Sequence, residues 1–131
     1  MCRQKGGNIE NILLVGIGGF IGAIFRYLIS GLIPRIYSMP TGTLVVNVTG
    51  STILSFFVIS MPSDSVIHFV NIGMIGSFTT FSTFAYENFK FLEDGETRFM
   101  LYNILLNLIF CILGVGIGYI MGHCSVNTVY T

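Results

Sequence analysis

Four long apolar segments constrain the fold of this chain more than any other feature. They cover approximately residues 9–33, 42–61, 66–92 and 99–121. Each approaches or exceeds the ~20 residues that an α-helix needs to cross a hydrocarbon core. They are too long for the strands of a membrane barrel, and lipid does not tolerate unpaired backbone groups. The sequence therefore predicts an all-α membrane protein with four transmembrane helices, in a single transmembrane domain over residues 1–131.

The composition agrees with a multi-pass protein of the cell membrane and argues against two classes of function. Hydrophobic residues make up 53% of the chain and charged residues 9%, whereas soluble domains carry about 25% charged residues. The formal net charge is zero, so we expect no nucleic acid partner, which would require a basic surface. The sequence contains no recognisable nucleophile–base pair, phosphate loop or set of metal ligands, and we do not expect an enzyme.

The charges near the loops indicate the orientation of the chain only weakly. Four spans place both termini on one side of the membrane, where Arg3 and Lys5 lie. The opposite side carries Arg35, Lys90 and Arg98, with Arg26 near that end of the first segment. An orientation is set by a clear excess of basic residues on one side. A single fixed orientation and insertion either way up therefore both remain open.

Small residues at helical spacing predict close packing of the helices. The fourth segment has glycine at positions 114, 118 and 122, and the first has glycine at positions 18 and 22. Small residues at i and i+4 form a groove in which another helix backbone can approach closely. Four helices make a thin bundle, so we expect a pore or site to need a second chain.

Several amides lie where a membrane segment should be most apolar. Asn47 is near the middle of the second segment, one turn after Thr43. Asn103, Asn107 and Cys111 follow one another at four-residue intervals in the fourth segment, so they share a helix face. Two interpretations are open: a polar track that lines a path, or a hydrogen-bonded seam between helices.

The stretch GSFTTFSTF, at residues 76–84, predicts an interruption of the third helix. Five of its residues carry hydroxyl groups: Ser77, Thr79, Thr80, Ser82 and Thr83. Backbone that is not helical is tolerated at membrane depth only where protein or a cavity satisfies it. Freed carbonyl groups there favour a hard cation such as Na⁺, whereas hydroxyl groups and the N-terminus of a half-helix favour anions.

Aromatic and charged residues near this stretch favour a passive route for a small anion over a pump. Phe81 and Phe84 are three residues apart, so they lie on nearly one helix face. Their ring edges are positive and can attract an anion, although core packing is an alternative. Arg26 can set a positive potential at the mouth of such a path or extend to the interface. A salt bridge or a water-facing helix end explains Glu87 adequately. The apolar segments therefore offer no carboxylate within the membrane that could couple transport to protons.

Three stretches together resemble the fluoride channel family, Fluc, also called CrcB. They are GGFIGAIFRY at 18–27, GTLVVNVTGS at 42–51 and GSFTTFSTF at 76–84. The resemblance covers nearly the whole chain. It implies a fluoride-selective channel that exports toxic fluoride passively, built as an antiparallel dual-topology dimer. It also implies two pores at the dimer interface and a structural Na⁺ ion at the dimer centre that is not transported.

The resemblance further implies roles for individual residues. Asn47 would line the fluoride pore, Phe81 and Phe84 would supply ring edges, and Arg26 would stand at the vestibule. Gly76 and Thr79 would give backbone carbonyl groups to Na⁺. The pore set also includes Ser82 and Thr83 of the same motif, with Thr43, Asn103 and Asn107 as candidates from the polar faces. The fourth helix departs from the family, which often has a track of Tyr and Ser or Thr there.

Some members of this family pair with a related chain, so a homodimer and a heterodimer both remain open. The alternative function is a small four-helix, proton-coupled exporter of toxic organic cations. Such an exporter needs a carboxylate embedded in its first helix, but Glu10 lies at the edge of that helix. A non-transporting assembly subunit would explain the glycine spacing, but not the combination of Asn47 with the hydroxyl and phenylalanine stretch.

Overall fold

The computed structural model describes residues 7–35, 39–60 and 67–129, and most of these residues are helical. Helix α1 is Gly7–Leu32 and α2 is Thr41–Ser60. Helix α3 comprises a π-helical part, Ile67–Ile75, and a short α-helical part, Gly76–Phe78. Helix α4 is Phe81–Glu93 and α5 is Thr97–Val129. Some residues used in the sequence analysis lie outside the described residues. They are Arg3 and Lys5, which were counted for the orientation, residues 62–65 of the second loop, and part of the first loop.

Three of these helices are long and apolar enough to cross a membrane. Their membrane-capable parts are Ile9–Leu32, Thr41–Ser60 and Thr97–Asn127. The ends of α1 and α2 lie within two residues of the predicted ones. Helix α5 is longer than its predicted span of 99–121, because hydropathy marks the apolar part of a helix and not its polar ends. The predicted third span is present as two helices, α3 and α4.

Contacts at the glycines give the relative directions of the helices. A Cβ atom at Gly114 would lie 3.1 Å from the Val48 carbonyl oxygen, and one at Gly122 would lie 3.0 Å from the Ile59 Cβ atom. Residue numbers therefore rise together along α2 and α5, so these two helices run in the same direction. A Cβ atom at Gly42 would lie 2.8 Å from the Ser30 carbonyl oxygen, which places the start of α2 beside the end of α1.

Both predicted glycine motifs lie where helices meet, which confirms the packing prediction. A Cβ atom at Gly118 would overlap the carbonyl oxygen of Thr52 on α2. On α1, a Cβ atom at Gly22 would overlap the carbonyl oxygen of Met74 on α3. Backbone approaches backbone at these points, and only a residue without a side chain leaves the necessary space.

The interior of the described part of the chain is mostly polar, whereas large apolar side chains point outward. The buried hydrophobic side chains are Val46, Ile75 and Phe78. The buried polar residues are Thr43, Asn71, Thr80, Asn88, Asn103 and Asn107. This arrangement is typical of a membrane protein, because lipid accepts apolar side chains and the costly polar groups must find partners inside.

Candidate functional site

Two extended residues separate α3 from α4. Thr79 has φ −70° and ψ 154°, and Thr80 has φ −144° and ψ 119°. The Thr79 N–H group and its hydroxyl group both donate to the Ile75 carbonyl oxygen, at 3.0 Å and 3.2 Å. The next backbone group, the N–H of Thr80, points away from α3. The Thr80 N–H group therefore needs a hydrogen-bond partner from outside α3.

The side chain of Asn47 provides that partner and also bonds to the Thr80 carbonyl group. The Thr80 N–H group donates to Asn47 Oδ1 at 2.8 Å, and Asn47 Nδ2 donates to the Thr80 carbonyl oxygen at 3.1 Å. In a continuous α-helix this N–H group would donate to the carbonyl oxygen of Gly76, four residues earlier. The Asn47 amide thus replaces the helical partner of the Thr80 N–H group and adds a donor to the Thr80 carbonyl group, and the Gly76 carbonyl group is released from that bond.

Asn47 is also the first member of a chain of four hydrogen-bonded asparagines, called here the asparagine chain. Asn47 Nδ2 donates to Asn107 Oδ1 at 3.3 Å, and Asn107 Nδ2 donates to Asn103 Oδ1 at 3.1 Å. Asn103 Nδ2 donates to Asn88 Oδ1 at 3.1 Å, and Asn88 Nδ2 donates to the Phe84 carbonyl oxygen at 2.8 Å. The asparagine chain therefore connects α2, α5 and α4.

The asparagine chain bears on the two interpretations of the fourth segment. Asn103 and Asn107 are only 2% and 6% exposed, and both bond to neighbouring side chains, as a seam between helices requires. Asn107 and Cys111 also line an open groove, as a polar track requires. Sequence reasoning missed Asn88, although its position one turn after Phe84 on an amphipathic helix was an available signal.

A hydroxyl group caps the N-terminus of α4 beside the two extended residues. The Thr80 side-chain oxygen accepts a hydrogen bond from the Thr83 N–H group at 3.2 Å. The same hydroxyl group donates to Thr83 Oγ1 at 3.0 Å and lies 3.3 Å from Ser82 Oγ. Threonine is a good N-cap residue because its oxygen satisfies an otherwise unpaired backbone N–H group.

A groove of about 470 Å³ is open beside the extended residues. The rings of Phe81 and Phe84 lie on it with their centroids 6.0 Å apart and their planes at 49°. Phe81 is 79% exposed. The groove is lined by Asn47, Ser51, Leu54, Thr79, Thr80, Phe81, Phe84, Ile104, Asn107, Leu108 and Cys111. The structure thus brings together five residues that the sequence singled out for ion contact: Asn47, Thr79, Phe81, Phe84 and Asn107.

Other predicted site residues lie away from this groove. Thr43 is buried and donates to Glu87 Oε1 at 2.6 Å. The sequence predicted a salt bridge or a water-facing position for Glu87 and did not predict this hydrogen bond. The bond forms because α2 places the hydroxyl group of Thr43 against the Glu87 carboxylate. Arg26 is half-buried on α1, which contributes no residue to the groove. Gly76 is exposed just before the extended residues, and Ser82 and Thr83 are exposed in the first turn of α4.

The groove combines hydrogen-bonding groups with aromatic rings, and none of its lining residues is charged. Among the described residues there is no group of three His, Cys, Asp or Glu side chains that could hold a metal ion. The backbone can still supply an oxygen ligand, because the Gly76 carbonyl group is released from its helical hydrogen bond where α3 ends. Such a group suits a hard cation.

Comparisons with known proteins agree on one family. The model of the family described as CrcB-like protein, Camphor Resistance (CrcB), matches residues 13–119. The Fluoride-specific ion channel FluC 3 of Methanosarcina acetivorans is 53% identical over 107 residues, which cover 82% of this chain and 96% of the relative. FluC 1 of Methanosarcina barkeri is 50% identical, over 83% of this chain and 94% of the relative. FluC of Methanocaldococcus jannaschii is 44% identical, over 86% and 94%.

Proposed function

The chain belongs to the CrcB family, and we propose that it is a channel that lets fluoride leave the cell passively, through the groove beside Thr79 and Thr80. It is a multi-pass membrane protein and not an enzyme. The observation that carries the proposal is that the rings of Phe81 and Phe84 line an uncharged groove beside the extended residues, which the side chain of Asn47 holds in place. Uncharged donors and positive ring edges can replace the water around a small anion. No fixed counter-charge in the groove would hold the ion back.

We further propose that α3 and α4 together cross the membrane as the predicted third span, in addition to the three long helices. Non-helical backbone at membrane depth requires internal partners, and Asn47 supplies them to Thr80. The groove is open on one side, and Phe81 is largely exposed there. A second chain in antiparallel orientation would close it and create a second, equivalent path. That chain is either an identical copy or a related protein.

The released carbonyl group of Gly76, together with that of Thr79, is our proposed site for a structural Na⁺ ion. Na⁺ prefers oxygen ligands, and carbonyl groups at the end of an interrupted helix are a usual source of them. When bound, the ion would hold the interrupted segments in place without being transported. Arg26, Thr43, Ser82 and Thr83 remain predicted contributors to the path or its vestibule, and Asn103 supports it through Asn107.

Removal of Na⁺ tests this site. When Na⁺ is replaced by N-methyl-D-glucamine on both sides, we expect a severalfold loss of fluoride flux or dissociation of the dimer. The physical reason is that the Gly76 and Thr79 carbonyl groups would lose the cation that they hold in common. Flux from liposomes and particle mass in detergent are the two measurements. If both are unchanged in Na⁺-free medium, Gly76 and Thr79 hold no such ion.

The proposed function itself is tested with purified protein in liposomes loaded with fluoride. A fluoride electrode should record rapid release that needs no proton gradient, and chloride-loaded liposomes should release little. Release that appears only when a pH gradient is imposed would favour the proton-coupled exporter of organic cations. A complete lack of release from folded, reconstituted protein would favour an assembly subunit.

Substitution of the two phenylalanines tests the role of the ring edges. We expect Phe81→Ala and Phe84→Ala each to lower fluoride flux at least about tenfold, because no other aromatic ring among the described residues lines the groove. The measured quantity is the initial rate of release per reconstituted protein. Phe89→Ala on the same helix is the matched control, since Phe89 is 57% exposed and does not line the groove. Normal flux in both groove variants would exclude the role.

A further inference from the structure

We propose that the hydroxyl group of Ser51 is the side-chain donor that binds fluoride in the groove. This inference rests on the proposed function and adds a residue to it. Ser51 is half-buried on α2, one turn after Asn47, and lines the groove. An anion without its water needs hydrogen-bond donors. The question is therefore which donors of the groove are free to serve it.

The two asparagines of the groove have no free side-chain donor. The Nδ2 group of Asn47 has two hydrogens, which go to the Thr80 carbonyl oxygen and to Asn107 Oδ1. The Nδ2 group of Asn107 donates to the carbonyl oxygen and to the side-chain oxygen of Asn103. Either amide would have to give up a bond of the asparagine chain before it could donate to an anion.

The two threonines of the groove are committed in the same way. The hydroxyl group of Thr79 donates to the Ile75 carbonyl oxygen at 3.2 Å. The hydroxyl group of Thr80 donates to Thr83 Oγ1, and the Thr80 N–H group donates to Asn47 Oδ1. These bonds maintain the separation between α3 and α4. Their loss would leave buried polar groups without partners, which offsets the gain from a new bond to an ion.

Two donors of the groove remain uncommitted. Within the described parts of the chain, the Ser51 hydroxyl group and the Cys111 thiol make no hydrogen bond. Ser51 follows Asn47 by one turn, and Cys111 follows Asn107 by one turn. Because α2 and α5 run in the same direction and Asn47 bonds to Asn107, Ser51 and Cys111 lie at about the same level of the groove. A hydroxyl group is a good donor and a thiol a weak one, which selects Ser51.

The position of Ser51 suits a fluoride ion that passes the rings of Phe81 and Phe84. Ring edges attract an anion, but they form only weak contacts, whereas a hydroxyl group forms a strong, charge-assisted hydrogen bond. Fluoride is small and concentrates its charge, so it gains more from such a bond than chloride does. Ser51 would therefore favour fluoride over larger halides, and its removal should affect fluoride most.

Substitutions at Ser51 test this assignment in fluoride-loaded liposomes. We expect Ser51→Ala to lower the initial fluoride flux about tenfold, in line with the loss of a hydrogen bond to a charged group. Ser51→Thr should restore most of the flux because it keeps the hydroxyl group. Ser51→Cys should restore little, since a thiol donates weakly. The melting temperature of the purified variants should stay that of the unsubstituted protein.

Ser55→Ala is the matched control on the same helix. Ser55 Oγ donates to the Val115 carbonyl oxygen at 2.9 Å, so its role is to join α2 and α5. We expect this variant to lose thermal stability while its fluoride flux, per folded protein, stays within about twofold of the unsubstituted protein. A serine that only supports packing behaves in this way, and Ser51 should not.

The possible outcomes separate the inference from the function on which it rests. Lack of release by the unsubstituted protein would overturn the proposed function. Release by that protein with equal flux in Ser51→Ala would leave the channel intact and overturn the role of Ser51. A loss of flux in Ser51→Ala that comes with a lower melting temperature, or that Ser51→Thr does not repair, would also overturn it.

Discussion

Replacement of Asn47 by leucine is expected to lower fluoride flux at least about a hundredfold. Leucine has a similar volume, but it cannot bond to the N–H and carbonyl groups of Thr80, which now lie 2.8 Å and 3.1 Å from the Asn47 amide. It also leaves Asn107 Oδ1 without this donor. Each unpaired buried group costs about 1–3 kcal/mol. The two extended residues should therefore rearrange, and the groove should lose its shape.

The measurement is the initial rate of fluoride release per reconstituted protein. Thr49→Val is the matched control, since the Thr49 hydroxyl group donates only to the Val45 and Val46 carbonyl oxygens of its own helix. This control should keep at least about half of the flux. Asn47→Leu with flux similar to the control would mean that Thr80 does not depend on Asn47, and the proposed organisation of the path would be wrong.

The second large effect is expected from Gly118→Val, which should prevent normal packing of α5 against α2. A Cβ atom at Gly118 would overlap the Thr52 carbonyl oxygen and lie 3.0 Å from the Ser55 Cβ atom and 3.1 Å from the Phe56 nitrogen. The overlapped atom belongs to the backbone, so no side-chain rotation relieves it. Overpacking of this kind costs about 1–3 kcal/mol or more. We expect a large fall in melting temperature in detergent and a low yield of folded protein.

Gly116→Val is the control for this substitution. It lies two residues earlier on the same helix, and a Cβ atom there would have nothing within 4 Å. The change in helix propensity from glycine to valine is similar at both positions, so the difference between the two variants isolates the packing contact. Equal melting temperatures would show that the approach of α5 to α2 at Gly118 is looser than the structure indicates.

The sequence alone determined the membrane class, the helical architecture and the place where helices approach one another. These properties depend on composition and on local spacing: apolar length decides which segments can cross a membrane, and glycine at i and i+4 decides which face can pack closely. The sequence also singled out residues 76–84, because hydroxyl groups and phenylalanines concentrate there. Its resemblance to the fluoride channel family is confirmed by the family match over residues 13–119.

Only the tertiary structure decided which groups are paired and which are free. Asn47 and Thr80 are 33 residues apart in the chain, and nothing local to either residue indicates that one amide satisfies both backbone groups of the other. The same holds for Asn88, for the contact of Thr43 with Glu87, and for the uncommitted hydroxyl group of Ser51. Hydrogen-bond partners depend on the register and rotation of neighbouring helices, and these are set by packing across the whole bundle.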